Sequence, residues 1–212
     1  INNAVSGQLT LTDYSVDLTG SSSDVAAALA GSFADTYTGD VSLNNAHNLT
    51  QLKAINDATT GTITLTDYSV DLSGSTADVK AALDGTFADT YTGNVTLGDA
   101  DDVEIAATDI TAIAGDTNGT VTVTNDIIIT GTSAAIATAV GNVDTFSGAA
   151  KASLGNAHTL AQLKAINNAV SGQLTLTDYD VDLSGSTADI KAALAGDFAS
   201  NYTGDVTLGD DA

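Results

Sequence analysis

The sequence lacks cysteine, proline, methionine and tryptophan, and apart from two histidines its only basic residues are five lysines among 212 residues. The absence of cysteine excludes disulfide frameworks, thiolate metal sites and cysteine nucleophiles. Against 27 acidic residues, the lysines leave a formal net charge of −22. This charge argues against nucleic acid and anionic membranes as partners, because phosphate binding needs clustered Lys and Arg. No apolar run approaches the roughly 20 residues of a membrane span, so no membrane insertion is expected.

The chain is built from four copies of one repeat. The copies start at Ile1, Ile55, Ile113 and Ile166, and the first reads INNAVSGQLTLTDYSVDLTGS. A shorter pattern, [TS]-[LV]-x-[DN], occurs eight times with gaps that alternate between long and short. Self-similarity of this kind is typical of a solenoid, in which each coil is stable only against its neighbours. Hydrophobic residues make up 43% of the chain, which is enough for a core, so disorder is not expected.

One coil is predicted to be a strand followed by a short helix. Leu9 and Leu11 alternate with threonines, as in a half-buried strand. Helix starts are predicted at the Ser75 cap, at the capping boxes Asn48-x-x-Gln51 and Thr159-x-x-Gln162, and at Asp102 in the fourth coil. Residues 1–212 are therefore predicted to form a single α/β repeat solenoid of about eight coils, with parallel stacked strands and short helices. Since helices need more room than strands, the array should curve or twist.

The eight-fold pattern ends in an Asp or Asn, here called the Asx column. Each of these residues has the parity of the strand leucines and is predicted to point inward at one corner of every coil. One interpretation is a structural ladder of side-chain to backbone hydrogen bonds. The other is calcium, which takes carboxylate and carbonyl oxygens, with Asp99, Asp101, Asp102 and Asp210 as candidate ligands. The column consists of Asp13, Asn45, Asp67, Asp99, Asn125, Asn156, Asp178 and Asp210.

Other repeated residues give weaker functional signals. The outward Ser/Thr row that starts at Thr10 indicates either a solvated β-face or, by analogy with Thr-x-Thr rows, an ice-binding face. His47 and His158 occupy the same slot four coils apart, so they are not expected to share one site. No nucleophile elbow, phosphate loop or paired-glutamate motif is present. The sequence thus predicts no catalytic or cofactor-binding residue and no enzyme.

The run TLAQLKAINNAVSGQLTLTDYDVDLSGSTADIKAAL resembles repeats of giant secreted or surface-layer-like bacterial proteins. The resemblance covers the whole chain and implies an extracellular spacer, coat, adhesin stalk or filament, often calcium-dependent. The pattern Leu9-x-Leu11-x-Asp13 also resembles, more weakly, the leucine-rich repeats, which have a ladder of inward-pointing Asn side chains.

The predicted function is therefore an extracellular structural repeat region of a bacterial surface protein. The alternative is a binding module that displays its Thr/Asp face to calcium, ice, mineral or glycan. Because the pattern starts and stops inside a repeat, we expect an uncapped fragment of a longer chain. Its expected partners are neighbouring repeats or further copies stacked head to tail.

Overall fold

The computed structural model describes residues 7–209, and within them the chain is an α/β protein with seven helices and thirteen short strands. The α/β class with parallel strands is confirmed. The chain divides into two compact units, Ile1–Thr96 with Gly115–Thr120, and Leu97–Ala114 with Val121–Ala212. Within residues 7–209 no helix is both long and apolar enough to cross a bilayer.

The first unit alternates strands and helices along the chain. Its elements are β1 (Leu18–Gly20), α1 (Ser22–Leu29), β2 (Val41–Leu43), α2 (Leu49–Asn56), β3 (Ile63–Thr64), β4 (Leu72–Gly74) and α3 (Thr76–Leu83), with β5 (Val95–Leu97) at its boundary. Strands β1, β2 and β3 form one sheet in that order, and β4 pairs with β5. Helix α2 packs between α1 and α3.

The second unit repeats this alternation. Its elements are β6 (Glu104–Ala106), α4 (Ala107–Asp116), β7 (Val121–Val123), β8 (Ile128–Gly131), α5 (Ser133–Gly141), β9 (Thr145–Phe146), β10 (Lys151–Leu154), α6 (Leu160–Ala169), β11 (Leu174–Thr175), β12 (Leu183–Gly185), α7 (Thr187–Ala193) and β13 (Val206–Leu208). One sheet has the order β11-β10-β8-β6, while β7 pairs with β9 and β12 with β13. Helix α6 packs between α5 and α7.

Strand pairing differs from the predicted single column of eight strands. Pattern strands 22 residues apart do pair in parallel, as Ser42 with Thr64 and Ser153 with Thr175. Those 32 residues apart do not: β2 pairs instead with β1, which places Leu18 beside Val41. Paired strands are thus separated by nearly constant lengths of chain. The physical reason is that segments stacked in a parallel sheet need similar circumferences, so the extra residues of the long gap shift the pattern along the next segment.

Helix starts follow the predicted capping chemistry. The Ser75 hydroxyl accepts the Asp78 N–H at the start of α3, and both predicted capping boxes are formed. The predicted cap at Asp102 is wrong, because α4 begins at Ala107 and Asp102 lies in a left-handed turn with φ 62°. Each of the two central helices buries an aliphatic pair in the core. These pairs are Leu52 with Ile55 in α2 and Leu163 with Ile166 in α6.

Candidate functional site

The most extensive polar feature is a series of Asp and Asn side chains that join stacked segments, here called the stacking ladder. Each member sits just before or near the start of a strand, and its Oδ1 atom accepts the backbone N–H of the next stacked segment. In the first unit Asp40 accepts from Thr62 at 2.7 Å and Asp71 accepts from Asn94 at 2.8 Å. The members are Asp17, Asp40, Asp71, Asn94, Asp101, Asp126 and Asp182.

The second unit forms the ladder with the same geometry. The Asp126 N–H donates to Asp101 at 3.0 Å, and the Asp205 N–H donates to Asp182 at 2.9 Å. Each such bond satisfies a main-chain donor that no strand partner reaches. The ladder thereby fixes the register of one segment on the next, at a point where the strands are only two to four residues long.

Glycine makes this close stacking possible. An added Cβ at Gly93 would lie 2.0 Å from the Val70 carbonyl oxygen, and one at Gly204 would lie 2.1 Å from that of Val181. Both distances are far shorter than van der Waals contact. Gly93 directly precedes the ladder residue Asn94, and Gly204 directly precedes Asp205, which occupies the equivalent position. The ladder side chain therefore follows the residue at which the two backbones come closest, and only glycine fits there.

This ladder was not predicted from the sequence, although the sequence contains a signal for it. Six of its seven members, Asp101 being the exception, directly precede an aliphatic residue that begins or adjoins a strand, as in Asp40-Val41 and Asp71-Leu72. The predicted Asx column instead follows the strand. The Asx column has a more regular sequence pattern than the stacking ladder. For this reason the column, and not the ladder, was interpreted as the structural feature.

Five members of the predicted Asx column are exposed, so the expectation of inward-facing side chains is wrong for Asp13, Asn45, Asp67, Asn156 and Asp178. The three aspartates cap local turns instead, with Oδ1 of each accepting the backbone N–H two residues on, at 2.8 to 2.9 Å. At Asp13 and Asp67 the hydroxyl and N–H of the following serine hold the carboxyl pKa below its ordinary value. The alternation of inward and outward side chains does not continue to these residues, because the chain turns immediately after the strand.

Two asparagines of the column join stacked segments at helix starts. Asn45 accepts the N–H of Ser22 at 2.7 Å, and Asn156 accepts that of Ser133 at 2.7 Å. Both serines are the first residues of helices, where backbone N–H groups have no partner within the helix. The two bonds are equivalent in the two units. They extend the capping of α1 and α5 to a neighbouring segment.

Three of the four candidate calcium ligands lie within residues 7–209, and each of them contacts other protein groups. Asp99 is buried and its backbone carbonyl accepts the Asn125 amide at 2.5 Å, while Asp101 belongs to the stacking ladder. Asp102 is ion-paired with Lys151. Asp210 lies outside the described residues. Within residues 7–209 no group of three or more Asp, Glu, His or Cys side chains has an arrangement that could hold a metal ion, and a calcium site stays a prediction.

The two histidines have the same buried environment in their respective units. His47 Nε2 lies 3.0 Å from the Tyr91 hydroxyl, which donates to the Val70 carbonyl at 2.6 Å. Since the tyrosine proton is committed to the carbonyl, Nε2 carries a proton and donates. Nδ1 is then a buried acceptor with no hydrogen-bond partner. Burial lowers the pKa of His47, while the nearby Asp67 opposes this shift weakly.

The same arrangement recurs at His158. Its Nε2 lies 2.9 Å from the Tyr202 hydroxyl, which donates to the Val181 carbonyl at 2.6 Å. Burial again lowers the pKa of His158, and burial together with nearby aspartates raises that of Tyr202 to about 12. A neutral histidine that joins two stacked segments has a structural role. The sequence signal for this role was the occurrence of His47 and His158 at equivalent positions of the repeat.

Some threonine hydroxyls also form hydrogen bonds between stacked segments. Thr66 and Thr124 donate their hydroxyls to the carbonyls of Leu43 and Leu97, at 2.7 and 3.1 Å. Thr177 makes the equivalent bond to Leu154. Each of these three threonines lies two residues after a member of the outward Ser/Thr row, and its hydroxyl is bonded to a protein carbonyl rather than presented to a ligand.

Comparison of the chain with protein-family models, with curated protein sequences and with solved structures gave no match. The functional argument therefore depends on the geometry of the chain itself. That geometry consists of polar side chains that repeat between the two units and bond one stacked segment to the next.

Proposed function

We propose that the chain is a structural repeat region, a spacer, coat, stalk or filament segment of an extracellular bacterial surface protein. In this proposal residues 1–212 form one continuous solenoid of about eight coils, curved or twisted, whose partners are neighbouring repeats or further copies stacked head to tail. Extracellular location comes from the resemblance to secreted and surface-layer-like repeats.

One observation carries this proposal: equivalent polar residues make equivalent bonds between segments in both units. Asn56 donates to the Ala81 carbonyl at 2.8 Å, and Asn167 donates to that of Ala192 at 2.6 Å. The two histidine–tyrosine pairs and the helix-start asparagines repeat in the same way. A site that binds a ligand needs groups left over after folding, whereas these groups are used to join segments. This pattern favours a scaffold.

Deletion of whole repeats tests the solenoid. Removing residues 55–112 joins Ala54 to Ile113 and preserves the repeat phase. In a one-dimensional array each coil contacts only its neighbours, so the shortened chain should fold and unfold cooperatively. Removing only residues 55–95 is the matched control, since it breaks the phase and should abolish cooperative unfolding in circular dichroism. A whole-repeat deletion that unfolds the protein would contradict the solenoid.

Surface labelling tests the location. An antibody against the segment should label intact cells of the organism that makes it as strongly as permeabilised cells. Labelling that requires permeabilisation would overturn the extracellular assignment and leave the solenoid untouched.

A further inference from the structure

The last strand of the chain leaves apolar side chains exposed that are buried at equivalent positions elsewhere. Val206 and Leu208 of β13 are 44% and 60% exposed, whereas Val41 and Leu43 of β2 are 0% and 5% exposed. The sequences around them are nearly the same, YTGDVTLG against YTGDVSLN. Strand β2 pairs with β3 on that side, whereas no strand among residues 7–209 pairs with the corresponding edge of β13. The β2–β3 pair therefore shows how a strand would add to β13.

The segment around Leu9, which forms an isolated parallel bridge with Phe33, presents the complementary surface. Leu9, Leu11 and Leu18 are only half-buried and line an apolar groove of about 590 Å³. Their equivalents one repeat later, Ile63, Leu65 and Leu72, are at most 5% exposed. Among residues 7–209 no segment pairs with the outward edge of residues 8–12. Within residues 7–209, the surface that β2 covers at Ile63 therefore has no covering strand at Leu9.

The chain contains two complete examples of the missing joint. In the first unit Val41 is level with Ile63, and the Val41 N–H donates to the Thr62 carbonyl at 2.9 Å. In the second unit Ala152 is level with Leu174, and the Ala152 N–H donates to the Gln173 carbonyl at 3.2 Å. The joint is therefore a recurring unit of this fold, formed in one register.

We propose that the occupant of the groove is β13 of a second copy of this chain, added as a parallel strand to residues 8–12. The register copied from the internal joints places Val206 level with Leu9 and Thr207 level with Thr10. The Val206 N–H then donates to the Gln8 carbonyl. This inference rests on the proposed structural role and specifies the contact through which copies join.

Two side chains that have no partner among residues 7–209 match the joint. Asp205 occupies the ladder position of Asp40, whose carboxylate accepts the Thr62 N–H, so it would accept the Gln8 N–H of the next copy. Thr12 occupies the position of Thr66, whose hydroxyl donates to the Leu43 carbonyl, so it would donate to Leu208. The joint thus continues the stacking ladder from one copy into the next.

The second copy is favoured over an unrelated partner because both halves of the joint lie on the same chain. The two surfaces are different, so the contact is heterologous and each copy can add another. Such contacts do not close upon themselves unless the rotation happens to form a ring, and they produce filaments. The charge of −22 opposes assembly through like-charge repulsion. Association should therefore strengthen with ionic strength.

Sedimentation of the full chain across a concentration series at high salt provides the test. The wild type should show a mass that rises with concentration. Leu208→Lys should remain at the 21.1 kDa monomer, while the matched control Thr207→Lys, one position along and on the opposite face, should associate like the wild type. Both variants lower the negative charge equally, so general electrostatics cannot explain a difference. Asp205→Ala should weaken association and Asp205→Asn, which keeps the acceptor, should retain it.

Mixing two blocked variants tests the direction of the joint. Leu11→Lys blocks the groove and Leu208→Lys blocks the strand, so each alone should be monomeric. An equimolar mixture has one intact groove and one intact strand and should give a dimer that grows no further. A wild type that stays monomeric at all concentrations, or equal association of Leu208→Lys and Thr207→Lys, would overturn the joint. Neither result affects the repeat-deletion test of the solenoid.

Discussion

The Tyr91 hydroxyl offers a direct measure of how strongly the buried polar bonds between segments stabilise the fold. Tyr91 is 1% exposed, and its hydroxyl bonds both the Val70 carbonyl and His47 Nε2. Tyr91→Phe keeps the ring and removes one atom. The change removes the partner of the buried His47 N–H and of the part-buried Val70 carbonyl.

The expected cost is the sum of these two losses. A typical hydrogen bond contributes about 1 kcal/mol net, and a buried donor left unsatisfied costs about 1–3 kcal/mol. Tyr91→Phe should therefore lower the free energy of unfolding by about 2–4 kcal/mol. For a chain of this size each kcal/mol shifts the melting temperature by roughly 2–4 °C. The variant should melt roughly 4–16 °C below the wild type.

Tyr37→Phe is the matched control. Tyr37 is also buried and donates to the Val16 carbonyl, and the structure shows no histidine bonded to its hydroxyl. Its ring lies 6.1 Å from Phe33, the same distance as between Tyr91 and Phe87. Removing this hydroxyl costs one bond, about 1 kcal/mol. The difference between the two variants isolates the histidine contact.

Equilibrium unfolding in urea, followed by circular dichroism, measures both changes. Amide exchange at Thr92 and Gly93, whose N–H groups donate to the Tyr68 carbonyl, reports the local effect. The corresponding amides of Thr203 and Gly204 in the second unit should be unaffected. If Tyr91→Phe costs no more than Tyr37→Phe, the histidine contact contributes nothing to stability and the reasoning is refuted.

Three further predictions concern pH, the ladder and divalent ions. The folded pKa of His47 is depressed, so the unfolded chain takes up the proton first and stability is lost as pH falls below about 6.5 toward the folded pKa; His47→Gln should reduce this loss and leave the contribution of His158, whose pKa is lowered in the same way, and an unchanged profile would argue against a buried neutral histidine. Asp71→Ala should cost about 1 kcal/mol through the lost bond to the Asn94 N–H, whereas Asp71→Asn should cost much less, and equal costs would contradict the ladder. Calcium and magnesium should raise the melting temperature equally at equal ionic strength, because Asp101 and Asp102 are already bonded; extra stabilisation by calcium alone would show a specific site.

Local sequence chemistry predicted the helices well. Ser75, Asn48 and Thr159 each cap a helix as expected, because a cap requires only residues within one turn of each other. The alternating apolar residues likewise identified buried positions such as Leu65 and Leu176, each of which directly follows a strand. Pairing of pattern strands 22 residues apart followed from their spacing.

Contacts between segments were harder to predict, because they depend on which residues become level after stacking. The Asx column was assigned to one corner, yet Asp67 is exposed and Asn45 reaches a helix start. The sequence shows how many residues separate two strands, whereas stacking requires that successive segments of the stack contain similar numbers of residues. The long gap therefore had to contain an additional strand, and β1 and β12 are such strands. Only their pairing shows that the residue before the strand forms the ladder.

The ladder also offers a physical reason for part of the unusual composition of the chain. Each joint needs a short side chain that accepts a backbone N–H, and Asp and Asn place the acceptor oxygen one bond farther from the backbone than the Ser and Thr hydroxyls do. Stacked strands lie about 4.8 Å apart, where two carboxylates in water repel by roughly 1 kcal/mol. A run of aspartates is therefore tolerated only with screening or with a neutral member. Asn94 follows Asp71 in the first unit, and Asp126 lies near Lys151 in the second. The six ladder aspartates supply −6 of the formal charge of −22, so the hydrogen bonds that join the segments also link the stability of the stack to the surrounding salt concentration.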